Sequence, residues 1–269
     1  MRKIVAILIC FTAFFECNAQ VLDTLVDVGG FKLHFNIIKG NGIPILFESG
    51  NGDDGTVWKN ILKPLSESTG ATLITYDRAG LGLSGIDTTK VNLLNEVKSL
   101  EIGLRKLGYN KNIFVVSHSF GSYYSTLFAE RNNKRVKGVV FIDVLTSCFF
   151  SKKRAKDTKD SVNTEDWKML KKEAIGLYYV LQNLESIYES AKNNKLPSKI
   201  PATIIGAENP PQIVKENEKA EWIDCLKKYG ELKNHNYVFA KNCGHKVWND
   251  NPELVLSEIA KLYKKVNKK

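Results

Sequence analysis

The 269-residue sequence has few of the features that mark metal-binding, nucleotide-binding or nucleic-acid-binding proteins. The spacing of its five cysteines matches no zinc motif. No Gly-x-Gly-x-x-Gly or Gly-Lys-Ser/Thr loop follows a predicted strand, which argues against a nucleotide site. The formal net charge is +10, but the lysines are scattered and form no basic stripe with interleaved aromatic residues. We therefore predict a globular protein that needs no metal or organic cofactor and does not bind nucleic acid.

The N-terminus differs from the rest of the chain. Residues 4–15 form an apolar run that is short for a bilayer span, and no later segment is a better candidate. Two basic residues precede this run, and the small residues of Cys17-x-Ala19 follow it, as in a secretory signal. We predict a signal peptide over residues 1–19, cleaved after Ala19, and a secreted or periplasmic protein without stable membrane insertion. A buried N-terminal helix or a retained anchor is the alternative.

Removal of this signal peptide leaves three cysteines, Cys148, Cys225 and Cys243. In an oxidising compartment one pair could form a disulfide. The sequence leaves open whether Cys225 and Cys243 are bridged or all three are free buried thiols.

Short apolar segments alternate with helical patterns along most of the chain. The segment around Gly29-Gly30 predicts a β-hairpin. The alternation that follows predicts a parallel sheet covered by helices on both faces. Residues 146–199 break this rhythm, because they are lysine-rich, helical in pattern and too long for a loop. We expect an α/β core made of residues 20–145 and 200–269, with residues 146–199 as an inserted helical cap.

The stretch "VVSHSFGSYY" has the pattern of a sharp turn between a strand and a helix. Such a turn presents a nucleophile when the residues two before and two after it are small. Ser117 and Gly121 meet this requirement around Ser119. We predict Ser119 as a nucleophile at the carboxyl end of a strand, where ligands collect in α/β sheets.

A serine hydroxyl needs a base within hydrogen-bond reach. His245, in "CGHKVWNDNPELV", follows the last predicted strand on a loop with glycine, and we predict it as that base. The other histidines fit less well: His34 lies in the hairpin, His235 begins the last strand, and we expect the ring of His118 to point away from the site.

The segments "FESGNGDD", "TYDRAGLGLSG", "VVSHSFGSYYS" and "GHKVWNDNPELV" occur in the order and near the spacing of the α/β-hydrolase superfamily, which the chain resembles from about residue 25 onward. The resemblance is to its serine esterases, lipases and peptidases with a helical cap. It implies an α/β-hydrolase fold, a mostly parallel eight-stranded sheet, and a Ser/His/acid hydrolase. It also implies that Asp77 and Arg78 brace the sheet edge.

By family position, the backbone N–H groups of Asn51 and Phe120 would form the oxyanion hole. Glu48 lies beside them, and either a structural hydrogen bond or a contact with the substrate could explain its carboxylate.

The position of the triad acid is where the chain departs from the family pattern. The family usually supplies an aspartate where this chain has Asn209, which cannot carry charge. Asp143, after a predicted strand, is our preferred acid, because some family members supply theirs from that place. Glu208 is the alternative acid, and a chain without a functional acid is the third possibility.

We therefore expect a secreted serine hydrolase that cleaves a small carboxylic ester, or an amide, through an acyl-enzyme on Ser119. A serine nucleophile argues against the superfamily's dehalogenases and epoxide hydrolases, which use aspartate. A weakly catalytic or non-catalytic ligand-binding member is the alternative. Several aromatic residues of the cap would either line an acyl pocket or pack together: Phe149, Phe150, Trp167, Tyr178 and Tyr179.

Overall fold

The computed structural model describes residues 20–268, in which eight strands form one sheet. The predicted signal peptide, residues 1–19, lies outside the described residues. The order across the sheet is β1-β2-β4-β3-β5-β6-β7-β8; β2 is antiparallel to both of its neighbours, and the other pairs are parallel. The prediction of an eight-stranded, mostly parallel sheet is confirmed. The strands are β1 (Val21–Asp27), β2 (Lys32–Ile38), β3 (Gly42–Glu48), β4 (Ala71–Tyr76), β5 (Ile113–His118), β6 (Val136–Ile142), β7 (Ala202–Ala207) and β8 (His235–Ala240).

Helices cover both faces of this sheet. They are α1 (Lys59–Thr69), α2 (Leu93–Lys106), α3 (Gly121–Arg131), α4 (Lys152–Asp160), α5 (Thr164–Glu173), α6 (Ile175–Gln182), α7 (Leu184–Ala191), α8 (Lys219–Gly230), α9 (Val247–Asp250) and α10 (Pro252–Asn267). The predicted hairpin is present, with Gly29 and Gly30 at positive φ in the turn between β1 and β2. Among residues 20–268, no helix has both the length and the apolar character needed to cross a bilayer.

Side chains of the central strands alternate between two apolar cores. Phe114 and Val116 of β5 pack in the core that contains α1 and α10, whereas Val115 packs in the core that contains α2, α3 and α8. Because both faces are covered, every residue of β5 is buried. Burial of each apolar side chain of β5, such as Phe114 or Val115, contributes about 1.5–3 kcal/mol. This sheet is the rigid support for the loops that follow its strands.

Helices α4 to α7 all lie between β6 and β7, in the segment expected to form the cap. Helix α5 has no fully buried residue, whereas α7 buries Leu184, Ile187 and Ala191. The treatment of residues 146–199 as a separate cap domain stays a prediction.

We did not predict helix α8, between β7 and β8. Its buried residues include Trp222, Cys225 and Leu226, at the i, i+3 and i+4 spacing that places them on one face. This face packs into the core on the α2–α3 side of the sheet.

A disulfide joins Cys148, which precedes α4, to Cys225 in α8. The expectations of a Cys225–Cys243 bridge and of three free thiols are both wrong. Cys225 packs into the core on the α2–α3 side and Cys243 into the core on the α1–α10 side, so the sheet separates these two residues. Cys243 is a buried free thiol.

Reduction of this disulfide should destabilise the protein. The two cysteines are 77 residues apart, and a bridge that closes a long loop contributes about 2–4 kcal/mol by restricting the unfolded chain. We expect dithiothreitol to lower the urea midpoint of the wild type and of Cys243→Ser. The double variant Cys148→Ser/Cys225→Ser should not respond. An equal response in all three proteins would contradict the pairing.

Candidate active site

Ser119 lies in a sharp turn between β5 and α3. Its φ of 53° is in the left-handed region, where a side chain is strained. The turn also needs small neighbours: a Cβ added to Gly121 would lie 2.4 Å from the Ser49 carbonyl oxygen. Ser117 is fully buried, and its hydroxyl accepts a hydrogen bond from Ser125 at 2.9 Å. The small residues flanking Ser119 are therefore required by close packing.

The structure brings His245 and Asp143 to Ser119. The imidazole Nε2 of His245 lies 2.8 Å from the Ser119 Oγ, and its Nδ1 lies 2.6 Å from an oxygen of Asp143. A carboxylate only accepts hydrogen bonds, so Nδ1 carries the proton and donates it to Asp143. This tautomer leaves Nε2 free to accept the hydroxyl proton of Ser119.

Asp143 follows β6 and has a φ of 43°. Its side chain is completely buried. The carboxylate oxygen that does not face His245 accepts the backbone N–H of Ala207 at 3.1 Å and the indole N–H of Trp222 at 2.9 Å. These two donors fix the orientation of the carboxylate. We did not predict a role for Trp222, because it lies on α8 and no local sequence pattern connects it to residue 143.

The alternative acids have other partners. Glu208 accepts the backbone N–H of Asn242 at 2.6 Å, and the N–H of Asn209 donates to the carbonyl of Cys243 at 3.0 Å. Among the described residues, Asp143 is the carboxylate that contacts the ring of His245. The assignment of Asp143 as the catalytic acid remains a prediction.

His118 does not point away from the site, as we expected. Its ring centre lies 4.4 Å from that of His245, and its Nε2 donates to the backbone carbonyl of His245 at 3.1 Å. The Trp58 and Trp248 rings lie edge-on to it. Burial, together with the nearby His245, holds the pKa of His118 well below its usual value. His118 is therefore a neutral donor that supports the loop carrying His245.

The loop after β3 is held by a buried ion pair. Arg78 donates to Glu48 at 2.6 Å, to the carbonyl of Ser49 at 2.6 Å and to that of Gly50 at 2.5 Å. Tyr76 donates its hydroxyl proton to the other oxygen of Glu48. Burial raises the pKa of Glu48 although the charge of Arg78 opposes it. Glu48 thus has the structural role that we considered, and Arg78 braces this loop.

Arg78 also determines where the Asn51 N–H points. The Gly50 carbonyl and the Asn51 N–H belong to one trans peptide, so they point in opposite directions. Because Arg78 holds the carbonyl, the N–H faces away from Arg78. Within residues 20–268, neither this N–H nor that of Phe120 has a protein acceptor, and both residues line the cavity that contains Ser119. Both donors are available to an oxyanion.

The cavity around Ser119 has a volume of about 540 Å³, which is typical of small-molecule sites. Phe149 and Phe150 line it, as we considered for the cap aromatics. Trp167, Tyr178 and Tyr179 do not line it and instead pack against one another. Two lining residues of this cavity form ion pairs. Arg154 pairs with Glu218, just before α8, and with Glu221 in α8, and Lys246 pairs with Asp53 at 2.8 Å. In the part of the chain described, no group of three His, Cys, Asp or Glu residues is arranged to hold a metal ion.

Comparison with known proteins supports the fold assignment. A family model for the alpha/beta hydrolase fold matches residues 43–164, a range that includes Ser119 and Asp143. The uncharacterized protein YqjL of Bacillus subtilis is 32% identical over 123 residues, 45% of this chain and 48% of the relative. A cis-3-alkyl-4-alkyloxetan-2-one decarboxylase of Shewanella oneidensis is 30% identical over 136 residues, 46% of this chain and 41% of the relative. The matches thus span less than half the length of these curated relatives.

Solved structures match over nearly the whole chain. An esterase of Thermogutta terrifontis superimposes with a TM-score of 0.64 at 19% identity, over 93% of this chain and 100% of that one. The haloalkane dehalogenase DatA of Agrobacterium tumefaciens has a TM-score of 0.68 at 17% identity, over 91% of this chain and 97% of that one. At such identities the likeness shows the fold. With the match of the family model and the strand order, the chain has an α/β-hydrolase fold.

The requirement for a small residue in the turn around Ser119 can be tested by adding one methyl group. Gly121→Ala places a Cβ against the Ser49 carbonyl, and we expect it to cost about 1–3 kcal/mol of unfolding free energy, measured in urea. Gly85→Ala is the matched control, since its Cβ would lie 3.4 Å from its nearest neighbour, the Cβ of Phe31. Equal stabilities of the two variants would show that the turn tolerates a larger residue.

Proposed function

We propose that the protein is a serine hydrolase that cleaves a carboxylic ester, or an amide, through an acyl-enzyme on Ser119. The observation that carries this proposal is the continuous hydrogen-bonded chain from Ser119 Oγ through His245 to the buried carboxylate of Asp143, at 2.8 and 2.6 Å. This arrangement meets the requirement for an activated serine, a base in contact with the nucleophile and an acid that orients the base.

The reaction has two halves. Ser119 attacks the carbonyl carbon while His245 accepts its proton, and the carbonyl oxygen becomes negatively charged. The N–H groups of Asn51 and Phe120 stabilise this oxyanion, and each such donor is worth roughly 10²–10³ in rate. His245 then protonates the leaving alcohol or amine. In the second half, His245 takes a proton from water, which attacks the carbonyl carbon of the acyl-enzyme. The bond from that carbon to Ser119 Oγ then breaks, His245 returns the proton to Oγ, and the carboxylic acid is released.

Asp143 acts in both halves by stabilising the imidazolium form of His245 and by holding its ring in one orientation. Trp222 and the Ala207 N–H position the carboxylate. His118 supports the histidine from its backbone side. These three contacts would keep the proton-transfer distance short while the charge on His245 changes.

An acyl substrate is the class that a serine in the turn between β5 and α3 can turn over. Attack by a serine hydroxyl on an alkyl halide or an epoxide would leave an ether, which an imidazole-activated water cannot readily hydrolyse. Attack on an ester leaves a new ester, which the same water can cleave. The aromatic and aliphatic lining by Phe149, Phe150, Leu181 and Leu184 favours an apolar acyl group.

We also propose that residues 1–19 act as a Sec-type signal cleaved after Ala19, and that the protein works in a secreted or periplasmic location. The basic start, the short apolar run and the small residues before the cleavage position support this proposal. The Cys148–Cys225 disulfide is consistent with it, since such bonds persist in oxidising compartments.

A fluorophosphonate probe tests the nucleophile. We expect the wild type to be labelled covalently, because the probe reacts with a serine that has an activating base. Ser119→Ala should not be labelled, and Ser117→Ala is the matched control that should be. Absence of label on the folded wild type would support the alternative of a ligand-binding member without turnover.

Ester turnover by two acid variants tests the triad acid. Asp143→Asn should lower kcat by roughly 10⁴-fold, because an amide cannot stabilise the imidazolium and favours the wrong tautomer of His245. Glu208→Gln should retain the wild-type kcat, since Glu208 contacts Asn242 instead of the histidine. The assignment is wrong if Asp143→Asn keeps the wild-type kcat.

A further inference from the structure

A second cavity, of about 590 Å³, lies between α3, the end of α7 and α8. It shares Leu145 with the cavity around Ser119. Tyr123 also lines the second cavity, and its ring packs against Phe120 and Phe150, which line the first. The two cavities are therefore neighbours with a common wall. The volume of the second is in the range of small-molecule sites.

The lining of the second cavity is largely apolar. Leu196 and Tyr229 contribute to it, and so does the Cys148–Cys225 disulfide. Leu232, also in the lining, is 54% exposed, so a large apolar side chain faces solvent at this cavity. Burial of this surface by a ligand would be favourable by about 25 cal/mol per Å².

The charged side chains of the second cavity are all basic. It is lined by Lys192, Lys195, Lys228 and Lys233, and by no aspartate or glutamate of the described residues. Lys192 and Lys228 make short-range pairs with carboxylates on their own helices, and such exposed pairs contribute little. Lys195 and Lys233 have no carboxylate within ion-pair distance among residues 20–268. The cavity around Ser119 differs, because both signs of charge line it.

Two polar groups of the second cavity lack a partner in the described chain. The Tyr123 hydroxyl is buried without a hydrogen bond, in a residue that is only 5% exposed. The side-chain nitrogen of Asn194 is likewise buried and unpaired. An unsatisfied buried polar group costs about 1–3 kcal/mol. Both groups can donate, and both belong to residues that line the cavity.

We propose that the second cavity binds a fatty carboxylate. The alkyl chain covers the apolar lining, the lysines attract the carboxylate, and the unpaired donors take oxygen acceptors. The apolar surface excludes a small, fully hydrophilic anion, and the uniform positive charge excludes an amphiphilic cation. This site does not depend on the chemistry proposed for Ser119.

Calorimetric titration of the full chain with dodecanoate, below its micellar concentration, tests the proposal. We expect saturable binding, at least tenfold weaker binding of dodecanol, and none of dodecyltrimethylammonium. Lys195→Gln/Lys233→Gln should weaken dodecanoate binding about 2- to 30-fold, since each of the two exposed ion pairs is worth up to about 1 kcal/mol. It should leave dodecanol binding unchanged.

The matched control is Lys264→Gln/Lys265→Gln, which removes the same charge from the exposed end of α10. It should bind dodecanoate like the wild type. Tyr123→Phe, which removes the unpaired hydroxyl, should bind dodecanoate more weakly than the wild type does. Because Lys195 and Lys233 line the second cavity and not the first, equal affinities of the two lysine variants would overturn the proposal. So would absence of dodecanoate binding, or binding of dodecanol as tight as that of dodecanoate.

Discussion

The buried ion pair between Arg78 and Glu48 is the interaction on which the geometry of the site depends. It joins the ends of β3 and β4, and the same guanidinium holds the carbonyls of Ser49 and Gly50. A buried pair adds little net stability, but removal of one partner is costly because the other charge is left unpaired. The pair therefore fixes the path of the loop. Loss of that constraint would release the Gly50 carbonyl and, with it, the orientation of the Asn51 N–H.

The proposed catalytic groups come from three separate strand ends. Ser119, Asp143 and His245 follow β5, β6 and β8, and parallel strands bring their carboxyl ends to one edge of the sheet. Two of these residues adopt positive φ values. Such strain persists only where the surroundings over-determine the conformation. Here the packed sheet holds the turns, and the indole of Trp222 holds the carboxylate, so α8 belongs to the site as much as the sheet does.

The sequence predicted the features that depend on local pattern. The alternation of strand and helix patterns predicted the sheet, and the small residues around Ser119 predicted the position of the turn. The contacts that the sequence did not predict join residues that are far apart along the chain. Trp222 is 79 residues from Asp143, and the ring of His118 meets His245 across 127 residues. The disulfide was misjudged for the same reason, because which face of the sheet a cysteine packs against follows from the tertiary structure rather than from spacing.

The Cys148–Cys225 bond, with the pairing of Arg154 to Glu218 and Glu221, clamps the start of the four-helix segment to the core. The N-terminal end of this segment is therefore held in place and does not open. Helix α5, which has no fully buried residue, is the part that separates from its neighbours at the smallest cost. Local opening of this segment is therefore easier at α5 than at α7, which buries Leu184, Ile187 and Ala191.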